Sequence, residues 1–286
     1  MDAACYLGVD LGGTQLRIGA VGPDGRLLTE ILSVPTGRGF GPADLVSQLD
    51  ALQVRIAALL AGREVAALGI GALGVIRPGP LTQCDNLPLL NGSDLVELLG
   101  ATRERKVAIE NDARCFLLAE ARFGAARGAR DVVALTLGTG VGCGVMVDGG
   151  LHHGLHREAG EAWRIPLRGE PVENHVSGAG VVRAYHAAGG KCEIQDAAEV
   201  ARAAREGDEA AGAAWRSFGR DLGFLCQCAA CFLDPECLVL GGSIARSHEL
   251  FDQALAETMA QWPTRIVYAT LGTAAGVIGA AALQIP

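Results

Sequence analysis

Asn111 and Asp112 are the residues of this chain best suited to acid–base work on a bound ligand. They end a short apolar strand (Val107, Ala108, Ile109) in the stretch KVAIENDARCFLLAEARFG, and they open a helix. Phe116, Leu117, Glu120 and Phe123 carry the helical spacing, and Gly124 suits a C-terminal stop. One Asn or Asp at this point is an ordinary N-cap, whose side-chain oxygen accepts an orphan backbone N–H. A second one at a strand's carboxyl end, where open α/β sheets take ligands, calls for a functional reason.

Phosphate chemistry is written twice. In CYLGVDLGGTQLRIGAV a strand ends in Asp10, turns through Gly12, Gly13 and Thr14, and returns with Leu16, Ile18 and Ala20 alternating. Arg17 follows on the return strand. Glycines let backbone N–H groups approach a phosphate, Thr14 adds a hydroxyl, and Asp10 is suited to hold magnesium through water. The stretch DVVALTLGTGVGCGVMVDGGL repeats the design, with Gly138, Thr139 and Gly140 between two strands. Further on, Gly241, Gly242 and Ser243 follow the strand Cys237 to Leu240 and open a helix, which offers backbone donors to a nucleotide.

The elements between these motifs read as α/β. Leu45, Leu49, Leu52, Ile56 and Leu59 share one helical face, and residues 66–76 form a buried strand. Asn86 lies in an irregular loop, and Asp94 with Glu97 makes a capping box for a helix ending at Gly100. Residues 152–180 are polar and loop-rich, followed by helices over 196–205 and 209–233. The segment 271–283 is a helix of small residues, suited to close packing. The echoed strand–glycine–strand units imply two related halves.

Composition narrows the class. The 286 residues include 40 glycines, and the net charge of −8 argues against a nucleic-acid-binding surface. No apolar run is long enough to span a bilayer, and the N-terminal residues lack the pattern of a signal peptide. Nine cysteines without scaffold-like spacing point to a reducing compartment, so the expected location is the cytoplasm. Cys226 and Cys228 point about 200° apart on a helix and cannot share an ion, so Cys226, Cys228 and Cys231 read as core residues. G-x-x-x-x-G-K-[ST] is absent, and the second glycine turn runs into a strand rather than a helix, which excludes the P-loop and Rossmann fingerprints.

Taken in order, DLGGTQLR, ENDARCFLLAEARFGAARG, LTLGTGVGCGVMVDGGL, the Ala159-Gly160-Glu161 triplet, DPECLVLGGSI and LGTAAGVIGAAAL resemble the ROK family (repressor, open reading frame, kinase) over nearly the whole chain. The resemblance implies two ribonuclease-H-like α/β domains of the actin/hexokinase superfamily with a cleft between them. Residues 1–112 plus 274–286 would form one lobe and 113–273 the other. It implies a homodimeric kinase using ATP and magnesium. Asp112 would be the general base for a hexose or hexosamine hydroxyl, usually O6. The helix dipole favours its ionised form, and a loose phosphoryl-transfer transition state asks the base mainly to orient that hydroxyl. Asn86, Asn111, Glu161 and Glu173 match sugar-binding positions. Asp10 would help hold magnesium, Gly12 to Thr14 and Gly138 to Gly140 would grip phosphates, and Gly241 to Ser243 would lie by the adenosine.

One motif departs from the family. Arg164 stands where a histidine is usual, and residues 168–172 (RGEPV) replace a cysteine loop, so no structural zinc is expected; His152, His153, His156 and His175 lack cysteine partners. Arg164 is either a donor to the sugar or a surface partner of Glu158 or Glu170. Glucose, mannose, an N-acetylhexosamine or another amino sugar all fit as substrate, and polyphosphate is an alternative donor. A repressor of the same family would carry a DNA-binding segment ahead of Asp10, and the acidic charge disfavours it. A non-catalytic sugar sensor is the competing function.

Overall fold

The computed structural model describes residues 4–76, 80–82, 84–103 and 106–286. In chain order the strands are β1 (Cys5–Leu11), β2 (Gln15–Val21), β3 (Leu32–Pro35), β4 (Val65–Ala72), β5 (Lys106–Asn111), β6 (Val132–Leu137), β7 (Val141–Val147), β8 (Gly150–Leu151), β9 (Pro166–Leu167), β10 (Glu170–Pro171), β11 (Cys237–Gly241) and β12 (Arg265–Tyr268). The helices are α1 (Pro42–Leu59), α2 (Leu95–Arg103), α3 (Asp112–Phe123), α4 (Gly178–Ala187), α5 (Ala197–Arg205), α6 (Glu209–Leu233), α7 (Asp252–Met259) and α8 (Ala275–Ala282). They form two compact units: residues up to Gly128 with Leu151–Ala159 and Thr270–Pro286, and Ala129–Gly150 with Gly160–Ala269.

The first unit is built on a five-stranded sheet in the order β3-β2-β1-β4-β5. β1 and β2 are antiparallel, whereas β1, β4 and β5 run parallel. Gly19, Gly8, Gly69 and Ala108 pair across adjacent strands and make a shallow lane over the sheet. The small-residue helix α8 lies in that lane. A Cβ at Gly8 would stand 1.8 Å from the Val277 carbonyl oxygen, and one at Gly69 would stand 1.7 Å from that of Ala280. α8 meets α3 in the same way, since a Cβ at Gly279 would be 1.8 Å from the Cys115 carbonyl oxygen.

That contact keeps α3 in the first unit, beyond the boundary at residue 112 expected from the sequence. Glu120 of α3 is fully buried. Its carboxylate accepts the N–H groups of Ala125 (2.8 Å), Thr270 (3.1 Å) and Leu271 (3.0 Å). One side chain thus holds the chain shortly before it leaves the unit after Gly128 and where it returns at Thr270.

The second unit repeats the plan with its own sheet, β12-β11-β6-β7-β8. β6 pairs antiparallel with β7 and parallel with β11, as β1 does with β2 and β4. The internal echo of glycine turns is therefore an echo of topology. Trp215 and Phe218 of α6 pack on each other (ring centroids 5.5 Å apart) and on Phe251 to centre this core. α6 starts on the Asp208 cap and ends at Asp234, whose left-handed backbone (φ 43°) stops it.

Three local expectations shift. α2 runs through Gly100 to Arg103, because that glycine does not take the left-handed backbone of a helix stop. Gly241 to Ser243 lead into a kinked 3-10 stretch, Ile244–Leu250, with no side-chain cap, instead of an α-helix N-terminus. Cys226 is buried, but Cys228 is half-buried and Cys231 is exposed, so the trio is not uniformly core. Among the described residues no helix is long and apolar enough to cross a membrane.

Candidate active site

In the first unit the parallel strands end in step. Asp10, Gly71 and Glu110 share one row of β1, β4 and β5, and Leu11, Ala72 and Asn111 share the next. Asp10 and the Asn111–Asp112 pair therefore leave the same sheet edge, where the carboxyl ends of parallel strands expose a crevice. Asn111 is the cap of α3: its Oδ1 accepts the N–H groups of Ala113 (3.0 Å) and Arg114 (3.3 Å). Its amide also donates to the Gly74 carbonyl at 3.2 Å. Asp112 is the first helical residue, and its Oδ1 accepts the Ala113 N–H at 2.9 Å. Gly71 gives room beneath, since a Cβ there would be 3.1 Å from the Cys115 sulfur. The Cys115 thiol is pushed well above its usual range by burial, and then by the surrounding charges of Glu110, Asp112 and Asp10.

The first glycine turn is braced from outside. Gly12 donates to the Gln15 carbonyl (2.9 Å), and Thr36 clamps the turn through its hydroxyl to the Gly12 carbonyl (2.8 Å) and its N–H to the Thr14 carbonyl (2.9 Å). Thr14 itself is exposed. Gly13 approaches Asn86 so closely that a Cβ would be 2.7 Å from the Asn86 Cβ, which brings that loop residue to the turn. Asp10 is packed against the Gly276 backbone, where a Cβ would lie 2.8 Å from its carboxyl carbon, and Arg17 reaches it at 3.8 Å.

Burial raises the Asp10 pKa, and the Arg17 charge only partly opposes the shift. A carboxyl whose folded pKa is raised favours the fold while protonated, and that contribution is lost as pH climbs from the ordinary aspartate value near ~3.9 through the raised one. Asp10→Asn is therefore expected to be more stable than the parent at pH 7, with the gap closing near pH 3. Urea unfolding at the two pH values measures it. A variant less stable at pH 7 contradicts the sign.

The second unit gathers its own set. Gly138 donates to the Gly140 carbonyl at 3.0 Å and accepts from the Gly178 N–H at 2.8 Å. Thr139 is exposed at the tip, as Thr14 is in the first turn. Glu173 sits against this turn, its Oε2 accepting the Val141 N–H at 2.8 Å. Gly242, at φ 88°, lies on the backbone of Leu137, and Ser243 is beside Gly138. Both glycine motifs of this unit are therefore adjacent, together with Glu173. Glu161 follows Gly160, whose positive φ of 92° and contact with the Cys143 carbonyl anchor it on β7. The Trp163 indole N–H donates to the Glu161 carboxylate at 2.6 Å, and the Arg164 guanidinium lies over the Trp163 ring at 4.9 Å. Of the carboxylates suggested as partners for Arg164, Glu170 is paired with Arg183 at 3.1 Å. Trp163 is a site neighbour that sequence reasoning missed; its spacing of two residues from Glu161 was the available signal. Among the described residues no group of three or more His, Cys, Asp or Glu side chains is arranged to hold a metal ion.

The ROK family model matches residues 6–285. This chain belongs to the ROK family. Among ROK relatives, an N-acetyl-D-glucosamine kinase of Photobacterium profundum is 31% identical, with 98% of this chain and 99% of that protein covered. A glucokinase of Thermotoga maritima is 30% identical, with 97% and 96% covered. A ROK family glucokinase from Streptomyces griseus, solved with glucose and AMPPNP, has a TM-score of 0.82 at 25% identity, with 98% of this chain and 99% of that chain covered. The ROK assignment carries with it the α/β actin/hexokinase-superfamily fold, which the paired five-stranded sheets display.

Proposed function

We propose that this chain is an ATP-dependent kinase of a hexose or hexosamine. The observation that carries the reading is the placement at the end of β5: Asn111 caps α3, and Asp112, the first residue of that helix, stands at the sheet edge it shares with Asp10. Kinases of glucose and of N-acetylglucosamine among the relatives support the same class of reaction.

In this reading Asp112 orients a sugar hydroxyl, O6 in a hexose, and accepts its proton as the oxygen bonds to the γ-phosphorus of ATP. The β–γ bridging bond breaks and ADP leaves. Asn86, Asn111, Glu161, Arg164 and Glu173 are assigned to the sugar. Gly12, Gly13, Thr14 and Arg17 are assigned to phosphate, as are Gly138, Thr139 and Gly140, with Gly241, Gly242 and Ser243 beside the nucleoside. Asp10 fits magnesium, because a cation next to a carboxyl that burial makes costly to ionise offsets that cost. The ion would supply charge neutralisation on the phosphates. A homodimer is expected, and light scattering checks it.

The reading is tested by ADP release with ATP and magnesium across hexoses, N-acetylhexosamines, free aminohexoses and sugar acids. One strong responder names the substrate. Silence across the panel, with ATP binding confirmed, overturns the kinase reading in favour of a sugar sensor. Trp163 then becomes informative, because its indole holds one Glu161 oxygen. Trp163→Phe keeps the ring under Arg164 but drops a hydrogen bond to a charged group, so the sugar KM is expected to rise about 5- to 10-fold. An unchanged KM separates Glu161 from sugar binding.

A further inference from the structure

We infer that Glu110 is a positioning residue for the Asn111–Asp112 pair, acting through a buried four-donor hub that it forms with Arg114, His153 and Arg157. The inference rests on the kinase reading above.

Glu110 is only 4% exposed, and both of its oxygens are fully engaged. Oε1 accepts the backbone N–H of Asn111 at 2.8 Å and the Arg114 guanidinium at 3.1 Å. Oε2 meets His153 Nε2 at 2.6 Å and the Arg157 guanidinium at 3.1 Å. The carboxylate therefore holds the peptide that enters Asn111 and a side chain of the first turn of α3, bracketing Asp112 from both sides in sequence. Asn111 is thereby fixed in extended backbone (φ −62°, ψ 143°), the geometry that sends its own oxygen to the helix N–H groups.

The other half of the hub comes from residues 151–159, a segment of the first unit contributed from the middle of the chain. Arg114 donates from one nitrogen to the carbonyls of Arg157 (2.8 Å) and Ala159 (2.9 Å). Arg157 donates through Nε to the Ile76 carbonyl at 2.6 Å. Arg157 also holds a left-handed backbone, φ 58°, which L side chains adopt at a cost. A glycine would relax there. The guanidinium placed at that cost joins Glu110 to the Ile76 carbonyl in the loop after β4.

Three cationic or potentially cationic side chains surround one carboxylate. Replacing one Glu110 oxygen with an amide nitrogen turns a donor toward His153 and the Arg157 guanidinium, which breaks the hub on the side of residues 151–159 and shifts the side chain that holds the Asn111 peptide. Arg157→Gly is the complementary change, since it removes a guanidinium while suiting the backbone it leaves behind.

The experiment compares Glu110→Gln and Arg157→Gly with the parent in steady-state ADP release, alongside thermal unfolding and sugar affinity by calorimetry. Both variants are expected to lose kcat about 10- to 100-fold, with sugar affinity within threefold of the parent, because the base is displaced while most sugar contacts persist. Arg157→Gly suits the backbone but takes a partner from buried Glu110, so a lower unfolding temperature is expected, and kcat is compared at a temperature where the parent and both variants are fully folded. Variants that retain kcat within twofold overturn the positioning role and leave the kinase reading standing. A kcat loss confined to Glu110→Gln and proportional to its unfolded fraction also overturns it, marking the hub as purely structural. A parent chain without sugar-dependent ADP release overturns the kinase reading and this inference together.

Discussion

Asp112→Asn is expected to lower kcat by about 10²- to 10⁴-fold, the span that a general base contributes. Sugar affinity should stay within about threefold, since the amide keeps the size and one acceptor of the carboxylate. The structure makes the substitution clean. Asn111, not Asp112, caps α3, and the bond from the Ala113 N–H to Asp112 Oδ1 can be made equally by the amide oxygen. The helix should lose only its dipole interaction with one charge, about 0.3–1 kcal/mol. Turnover from stopped-flow ADP detection and sugar Kd from calorimetry separate the two quantities. A fall in kcat of less than tenfold would remove Asp112 from the base role, and equal losses of kcat and affinity would make it a binding residue only.

The largest expected effect on stability is at Gly69. Its added Cβ would meet a backbone oxygen of α8 at 1.7 Å, and no side-chain rotation relieves a clash with main chain. Either the sheet lane widens or α8 lifts, and each route uncovers Val277, Ile278 and the alanines that α8 buries. Gly69→Ala is expected to cost at least about 3 kcal/mol, the upper end for overpacking. At that cost the unfolding temperature falls by roughly 6–12 °C. Gly39→Ala is the matched control, because a Cβ there meets nothing within 4 Å and its φ is ordinary; it should stay within about 0.5 kcal/mol of the parent. Calorimetry of both variants decides, and an unfolding temperature for Gly69→Ala within about 2 °C of the control would show that the lane yields.

These two expectations also show what the sequence makes legible. Asn111–Asp112 was readable because a short apolar strand stopping at polar residues before a helical pattern is a local signal. The repeated strand–glycine–strand units announced a repeated topology, and both sheets carry it. The small residues of α8 declared close packing without naming the partner, because the lane of Gly8, Gly19 and Gly69 exists only once three strands are in register. Gly100 and Gly241 to Ser243 misled for one reason. The backbone conformation a glycine takes, which decides whether it ends or opens a helix, is not visible in its sequence neighbours. The hub at Glu110 was out of reach, since its partners His153 and Arg157 lie more than forty positions away and only the fold joins them. A glutamate at the end of an apolar strand was the one hint. Glu120 shows only helical spacing in the sequence, yet it accepts three N–H groups, from Ala125, Thr270 and Leu271.

The grip of Glu120 on both Ala125 and Thr270 has a consequence for how the chain acquires its shape during synthesis. The first unit is covered by α8, which emerges from the ribosome only after the entire second unit. Until then the glycine lane has no lid, and Glu120 lacks the Thr270 and Leu271 amides that satisfy it. At about 5–20 residues per second the wait for the intervening stretch lasts roughly 7–30 s. Throughout it, three parallel strands present an uncovered, nearly featureless surface of the kind that invites association with other nascent chains. The second unit, made of Ala129–Gly150 and Gly160–Ala269, is fully synthesised before α8 and is free to fold first. In this molecule the half that carries Asp112 is the later one to be completed, because it waits on the arrival of α8.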